Sequence, residues 1–121
     1  MSGHIFVQIV LCALKCQSLE AGVWDGDTIR IDQPRVERIR ILNIDAPELE
    51  GRCRYETDLA QRSKHRLAEM LEGQQIDIKR QGKDRYGRTL AVLSVQGYDV
   101  GDQLVREGLA RTWSGRREPW C

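Results

Sequence analysis

What this sequence lacks narrows it first. It has almost no net charge: 19 basic residues stand against 18 acidic ones, a formal +1. Bulk charge therefore does not announce a polyanionic partner. Its four cysteines (Cys12, Cys16, Cys53 and Cys121) form no CxxC pair, and its two histidines, His4 and His65, stand far apart. That spacing argues against a zinc site. No linker, internal repeat or low-complexity segment is visible. The apolar stretch over residues 5–14 is interrupted by Gln8 and is too short to span a membrane. It resembles a weak signal-peptide core. Yet no Lys or Arg precedes it, and the one candidate cleavage site, around Ala21, would cut into the first core strand. Residues 1–14 are read as an N-terminal extension, a weak signal-like segment or a strand packed on the domain, and residues 15–121 as the domain itself.

What is present is a globular composition, 40% hydrophobic and 31% charged over 121 residues. This suits one domain with a core that needs no obligatory staples. Fifteen of the 19 basic residues are Arg. A guanidinium fork matches phosphate oxygens in a bidentate way, although a general compositional preference for Arg would leave the same trace. An even cysteine count permits disulfides in an oxidising compartment. Four cysteines allow three full pairings, and spacing does not choose among them.

Residues 18–24 read as a strand running into Asp25-Gly26, a strong hairpin signal. Residues 28–32 form a second strand, with Ile29 and Ile31 alternating against Thr28 and Arg30. Residues 37–44 form a third, whose alternation breaks at Leu42. That break suggests a bulge or a strand end buried on both faces. Pro47 stops it. Residues 55–72 turn helical, with Gly73 placed as a C-terminal cap. Residues 75–79 form a fourth strand, 80–88 a polar loop, 89–95 a fifth strand, and 100–107 a short helix closed by Gly108. Three strands, a long helix, two strands and a short helix make a mainly β chain with helices (α+β). The order fits a five-stranded Greek-key barrel of the OB type.

Three acids bracket two of the turns: Asp27 after the first hairpin, then Asp45 and Glu48 after the third strand. Their hard oxygens suit Ca²⁺ or Mg²⁺. Each also has an ordinary explanation, since Asp-Gly-Asp makes a good hairpin turn and Asp-Ala-Pro-Glu a good strand terminator. Arg40 lies inside a strand that packs on the core. It needs a carboxylate partner or a route to solvent. Arg88 ends the polar loop. Together these residues supply what phosphodiester cleavage requires: a cation site, a carboxylate to take a proton from water, and two guanidinium groups for charge building on phosphorus oxygens.

The segments Val23-Trp24-Asp25-Gly26-Asp27-Thr28-Ile29, Arg38 through Glu48 with Arg40 five residues before Asp45, Asp84-Arg85-Tyr86-Gly87-Arg88 and Leu104 through Ala110 resemble, in order and near-family spacing, the blocks of the thermonuclease (staphylococcal nuclease-like) family. The resemblance spans residues 18 to about 113. It implies an enzyme, a nuclease that needs Ca²⁺, breaks P–O5′ bonds of DNA or RNA and leaves 3′-phosphates. Asp27 and Asp45 would be side-chain ligands of the Ca²⁺, joined by the backbone carbonyl of Ala46, where the family often has Thr. Glu48 would be the general base, and Arg40 and Arg88 would clamp the scissile phosphate. Asp25 would support the metal site, and Tyr86 would line the nucleotide pocket. Trp113 is the nearest aromatic to the family's second pocket tyrosine.

The chain departs from the family at its Arg- and Trp-rich end, where a third helix is missing. A Cys53–Cys121 disulfide would pin that tail to the start of the long helix. The implied partner is a nucleic-acid substrate, with single-stranded DNA or RNA favoured; no membrane is implied, and the protein is expected to be a monomer. The cysteines and the family lean toward a secreted or periplasmic protein. The competing reading is a non-catalytic OB-type nucleic-acid binding module. The presence of Asp27, Arg40, Asp45, Glu48 and Arg88 together favours catalysis over it.

Overall fold

The computed structural model describes residues 3–121. The strands are β1 (Ile5–Cys12), β2 (Cys16–Asp25), β3 (Thr28–Ile31), β4 (Glu37–Ile41), β5 (Ile44–Asp45), β6 (Ile76–Lys83), β7 (Thr89–Val95), β8 (Tyr98–Asp99) and β9 (Arg111–Thr112). Helix α1 (Arg54–Leu71) follows β5, and α2 (Val100–Arg106) follows β8. The main sheet runs β1-β2-β3-β4-β7-β6, with β8 on β7 and a separate β5–β9 pair. All its pairings are antiparallel except β4 with β7, where Ile39 faces Thr89 and Ile41 faces Ala91. The sheet curls until its first strand meets the entry to β6. Gly73 N donates to Gln8 O at 2.7 Å and Val10 N to Gln74 O at 2.9 Å. This is an OB-like α+β fold, and the five strands read from the sequence are β2, β3, β4, β6 and β7.

Alternation explains the core. Along β7, Thr89, Ala91, Leu93 and Val95 are buried and the residues between them are not. Ile9, Ile29, Ile31, Ile39, Ile41 and Leu93 are fully buried on the inner face, and Leu67 and Leu71 of α1 close over them. The helix ends at Leu71 with Glu72 as its C-cap, and Gly73 follows with a φ of 74° that suits a residue without Cβ. Asp99 caps α2 by accepting from Asp102 N at 2.9 Å.

Two boundaries differ from the sequence reading. Of the readings open for residues 1–14, the strand packed on the domain describes Ile5–Cys12, which pairs along its whole length with β2 and buries Val7 and Ile9. Residues 1 and 2 lie outside the described residues. The break at Leu42 is neither a bulge nor a doubly buried strand end. Leu42 N still bonds Ala91 O, the chain turns at residues 42–43, and Ile44–Asp45 opens a new pairing with β9. The first four residues of the polar loop over 80–88 are strand, since β6 continues to Lys83 across a register shift, and residues 84–88 alone make the turn into β7.

That extension is held by charge. Arg80 forks onto Glu37 of β4 at 2.9 and 2.8 Å, and Glu37 also accepts from the Thr89 hydroxyl at 2.7 Å. The Arg80 hydrogen bonds hold the Glu37 carboxyl below its ordinary value, outweighing a burial effect that raises it. All four cysteines are paired, Cys12 with Cys16 across the β1–β2 hairpin and Cys53 with Cys121 at the start of α1.

Two outcomes follow. Leu67→Ala empties a fully buried site and should cost about 2–5 kcal/mol in denaturant unfolding. Because the folded Glu37 value lies below the unfolded one, its contribution is complete above the ordinary glutamate range and fades as pH falls through the folded value. Glu37→Gln should therefore destabilise at neutral pH by about 1 kcal/mol or less, the pair being partly solvent-screened. In unfolding curves measured from pH 7 to 3, the gap to the parent should close at the acid end.

Candidate active site

The β2–β3 hairpin carries the first acids. It can sit close to α1 only because Gly26 has no side chain: a Cβ there would come within 1.9 Å of Ser63 Oγ and 3.0 Å of Ala46 Cβ. Asp25 turns back to accept from Asp27 N at 3.0 Å. The buried Asp27 carboxylate accepts from Thr28 Oγ1 at 2.9 Å and reaches the next turn, accepting from Ala46 N at 2.9 Å. Asp45, placed by the β5–β9 pair, is also buried, and its Oδ1 has no hydrogen-bond partner. Burial pushes the Asp25 carboxyl up to about 8, with the Asp27 charge adding to it. Burial likewise raises Asp45, against the opposing pull of Arg117.

Glu48 stands half exposed on the loop that follows. Its backbone is fixed by Glu56, which accepts from Glu48 N at 3.0 Å and Arg52 N at 3.1 Å. Burial works to raise the Glu56 carboxyl, but these two N–H donors hold it lower than usual. The loop approaches so closely that a Cβ at Gly51 would lie 2.7 Å from Glu56 Cγ.

The two arginines are aimed by different devices. Arg40, facing Thr28 across the β3–β4 ladder, donates to the carbonyls of Ile41 and Ile44 and lies 3.7 Å from Asp27 Oδ2. Its guanidinium sits 5.6 Å from the Trp113 ring. The question of an in-strand Arg is thus answered by a partner and not by snorkelling. Arg88 is held by Asp84, whose carboxylate accepts from the N–H groups of Tyr86 and Arg88 and from Arg88 Nε at 2.8 Å. These three bonds depress the Asp84 carboxyl, overcoming burial that acts the other way.

A cleft of about 840 Å³ collects the set. Asp25, Asp27, Arg40, Glu48, Tyr86 and Arg88 all line it, as do Trp24 and Trp113. Asp45 and Ala46 are buried and do not line it. Among the described residues, no group of three or more His, Cys, Asp or Glu side chains could by itself hold a metal ion. What the chain offers is a smaller set of hard donors: the Asp27 and Asp45 carboxylates, of which Asp45 Oδ1 is buried and unsatisfied, and the adjacent Ala46 carbonyl. That chemistry fits a hard divalent cation whose remaining positions are filled by water.

Three residues with evident work at this site carry no role in the sequence reading. Glu56 positions Glu48, and its only sequence signal is an acid in the first turn of a helix. Asp84 aims Arg88, signalled by an Asp two and four residues ahead of the N–H groups it caps. Arg117, in the Arg-rich tail, lies against Asp45 and Glu48, and nothing in its spacing links it to them.

Residues 38–119 match the family described as staphylococcal nuclease homologue. An uncharacterized endonuclease of Escherichia coli is 36% identical over 109 residues, covering 88% of this chain and 66% of the relative. A thermonuclease of Staphylococcus intermedius is 34% identical over 92 residues, 74% of this chain and 55% of that protein. A micrococcal nuclease of Shigella flexneri is 33% identical over 104 residues, 78% and 55% respectively. The chain thus spans between about half and two thirds of the length of these relatives. The matched stretch takes in Arg40, Asp45, Glu48 and Arg88 and the strands that aim them, and this chain belongs to the staphylococcal nuclease homologue family.

Proposed function

We propose that this chain is a Ca²⁺-dependent nuclease that hydrolyses P–O5′ bonds of single-stranded DNA or RNA and leaves 3′-phosphates. The observation that carries the reading is the convergence of Arg40 and Arg88, each fixed by its own partners, on the cleft that also holds Asp27 and Glu48. The nuclease names of the relatives support it.

The residues divide the work by position. A phosphodiester in the cleft meets two guanidinium groups whose forks match its non-bridging oxygens. As charge builds on those oxygens, Arg40 and Arg88 stabilise it without reorganising, because Ile44 O and Asp84 already hold them. Asp27, Asp45 and the Ala46 carbonyl would hold a divalent cation, which would supply Lewis-acid polarisation of a phosphoryl oxygen. Glu48 accepts a proton from the attacking water. The water oxygen bonds to phosphorus, the P–O5′ bond breaks, and the leaving 5′-oxygen takes a proton from solvent. Asp25 supports the acidic cluster through Asp27 N.

Single strands suit the cleft because aromatic rings are exposed along it. Tyr86 is 59% exposed, Trp24 40% and Trp113 36%. Unstacked bases can lie against such faces, whereas a duplex keeps its bases internal. The paired cysteines suit an oxidising compartment.

Single-stranded DNA and RNA incubated with Ca²⁺, Mg²⁺ or EGTA, beside variants, test the proposal. Cleavage should require Ca²⁺ and stop in EGTA. Arg88→Ala and Arg40→Ala should each lose about 10³–10⁵ in rate, the worth of a phosphate-clamping Arg in other phosphoryl transfers. Glu48→Gln should lower kcat by about 10²–10⁴ while KM stays near the parent value. Binding without cleavage under every metal would instead mark a non-catalytic OB-type module.

A further inference from the structure

The tail after β9 has no regular structure, yet it is fastened at both ends. Trp113 N donates to Asn43 O at 3.0 Å. At the far end, Cys121 is bonded to Cys53 beside the first turn of α1. Between them, Arg111 reaches across to donate to Pro119 O at 2.8 Å, and its guanidinium stacks 3.7 Å from the Trp120 ring. Residues 113–121 are therefore a strap, and Arg117 lies near its middle.

The Arg117 guanidinium is 3.5 Å from Asp45 Oδ1 and 3.5 Å from the Ala46 carbonyl oxygen, and it hydrogen-bonds Glu48 Oε1. Those are two of the three groups assigned above to the cation, together with the proposed base. No other cation approaches Asp45 Oδ1 within ion-pair distance among the described residues. The side chain is half exposed, whereas Asp45 is almost wholly buried, so the guanidinium enters from the solvent side.

We infer that Arg117 is a tethered cation that competes with the divalent metal for the Asp45–Ala46–Glu48 corner, and that the Cys53–Cys121 disulfide sets the strength of this competition. The inference rests on the metal site proposed above. A metal ion needs those oxygens at about 2.3–2.6 Å, which leaves no room for a guanidinium between them. A half-exposed ion pair is weak when its partners are free. Here the strap confines Arg117 to the neighbourhood of the corner, and confinement raises its effective concentration to levels that a free cation must match. While seated, it also occupies the Glu48 oxygen that would accept a proton from water. Metal entry and release of the base are thus one event: the strap lifts, the cation takes the oxygens, and Glu48 is freed.

Isothermal titration of CaCl₂ into the full chain, without substrate, tests this. The parent is compared with Arg117→Ala, Arg117→Lys and the Cys53→Ser/Cys121→Ser double variant. Arg117→Ala should bind Ca²⁺ about tenfold more tightly, the factor for a strap seated about nine tenths of the time. The double variant should move in the same direction, and Arg117→Lys, which keeps the charge, should stay near the parent. Equal Kd for the parent and Arg117→Ala would overturn the competition while leaving the metal site standing. Tightening in Arg117→Lys as large as in Arg117→Ala would overturn charge as its cause. Tightening in Arg117→Ala without any in the folded double variant would overturn the tether. No Ca²⁺ binding by any protein would remove the metal site as well. Near-UV circular dichroism verifies packing in each variant, and the surface change at Arg117 decides the matter if the double variant does not fold.

Discussion

The Asp27 carboxylate joins two turns that lie 19 residues apart. One oxygen takes the Thr28 hydroxyl and fixes its own hairpin; the other takes Ala46 N and fixes the segment carrying Asp45. Its backbone carbonyl receives Ile41 N, so β4 is locked to the same point. A buried charge is tolerated only where polar groups surround it, and here those groups are the backbone of the site itself. The placement of Asp45, Ala46 and Arg40 follows from satisfying that one carboxylate.

The cost falls on its neighbours. Asp25 and Asp45 share the desolvated region and are pushed toward their neutral forms, Asp25 as far as about 8. Around this desolvated centre each arm is stiffened by its own carboxylate or carbonyl: Glu56 under the Glu48 loop, Asp84 behind Arg88, and Ile44 O before Arg40. The cleft is therefore rigid around its carboxylates and guanidinium groups, while the strap beside it has no regular structure and is fastened through Trp113 N, through Arg111 on Pro119 and Trp120, and through the Cys53–Cys121 disulfide. On the function proposed above, preorganised donors and a displaceable cover would be complementary properties in a small domain.

Much of this was legible in the residues. Alternating Ile positions in β3 and β4 and the Asp-Gly pair placed the first hairpin, and Gly73 marked the end of α1, because each signal is local. What was not legible depends on pairing across the chain. An apolar stretch at residues 5–14 carries the same pattern whether it extends from the domain or, as here, closes the sheet against residues 73–75. The polar run at 80–83 becomes strand because Glu37, more than forty residues earlier, receives Arg80. The site acids and arginines stood out as a group, by motif, whereas Glu56 and Arg117 act through contacts of eight and 69 residues' separation that no spacing rule announces.

The parallel β4–β7 ladder sets how the chain can acquire its shape. Ile39 and Ile41 have no partner on that side until residues 89–91 have been made, some fifty positions later. Contacts of such separation must await the closure of a long loop, which places this domain among slow-forming topologies compared with helical bundles of its size. A nascent chain that has finished β4 carries an open, apolar strand edge through the whole synthesis of α1 and β6. Until β7 arrives, the unpaired backbone groups of that edge stay open to any other strand, so edge-to-edge association competes with folding for the whole of that interval.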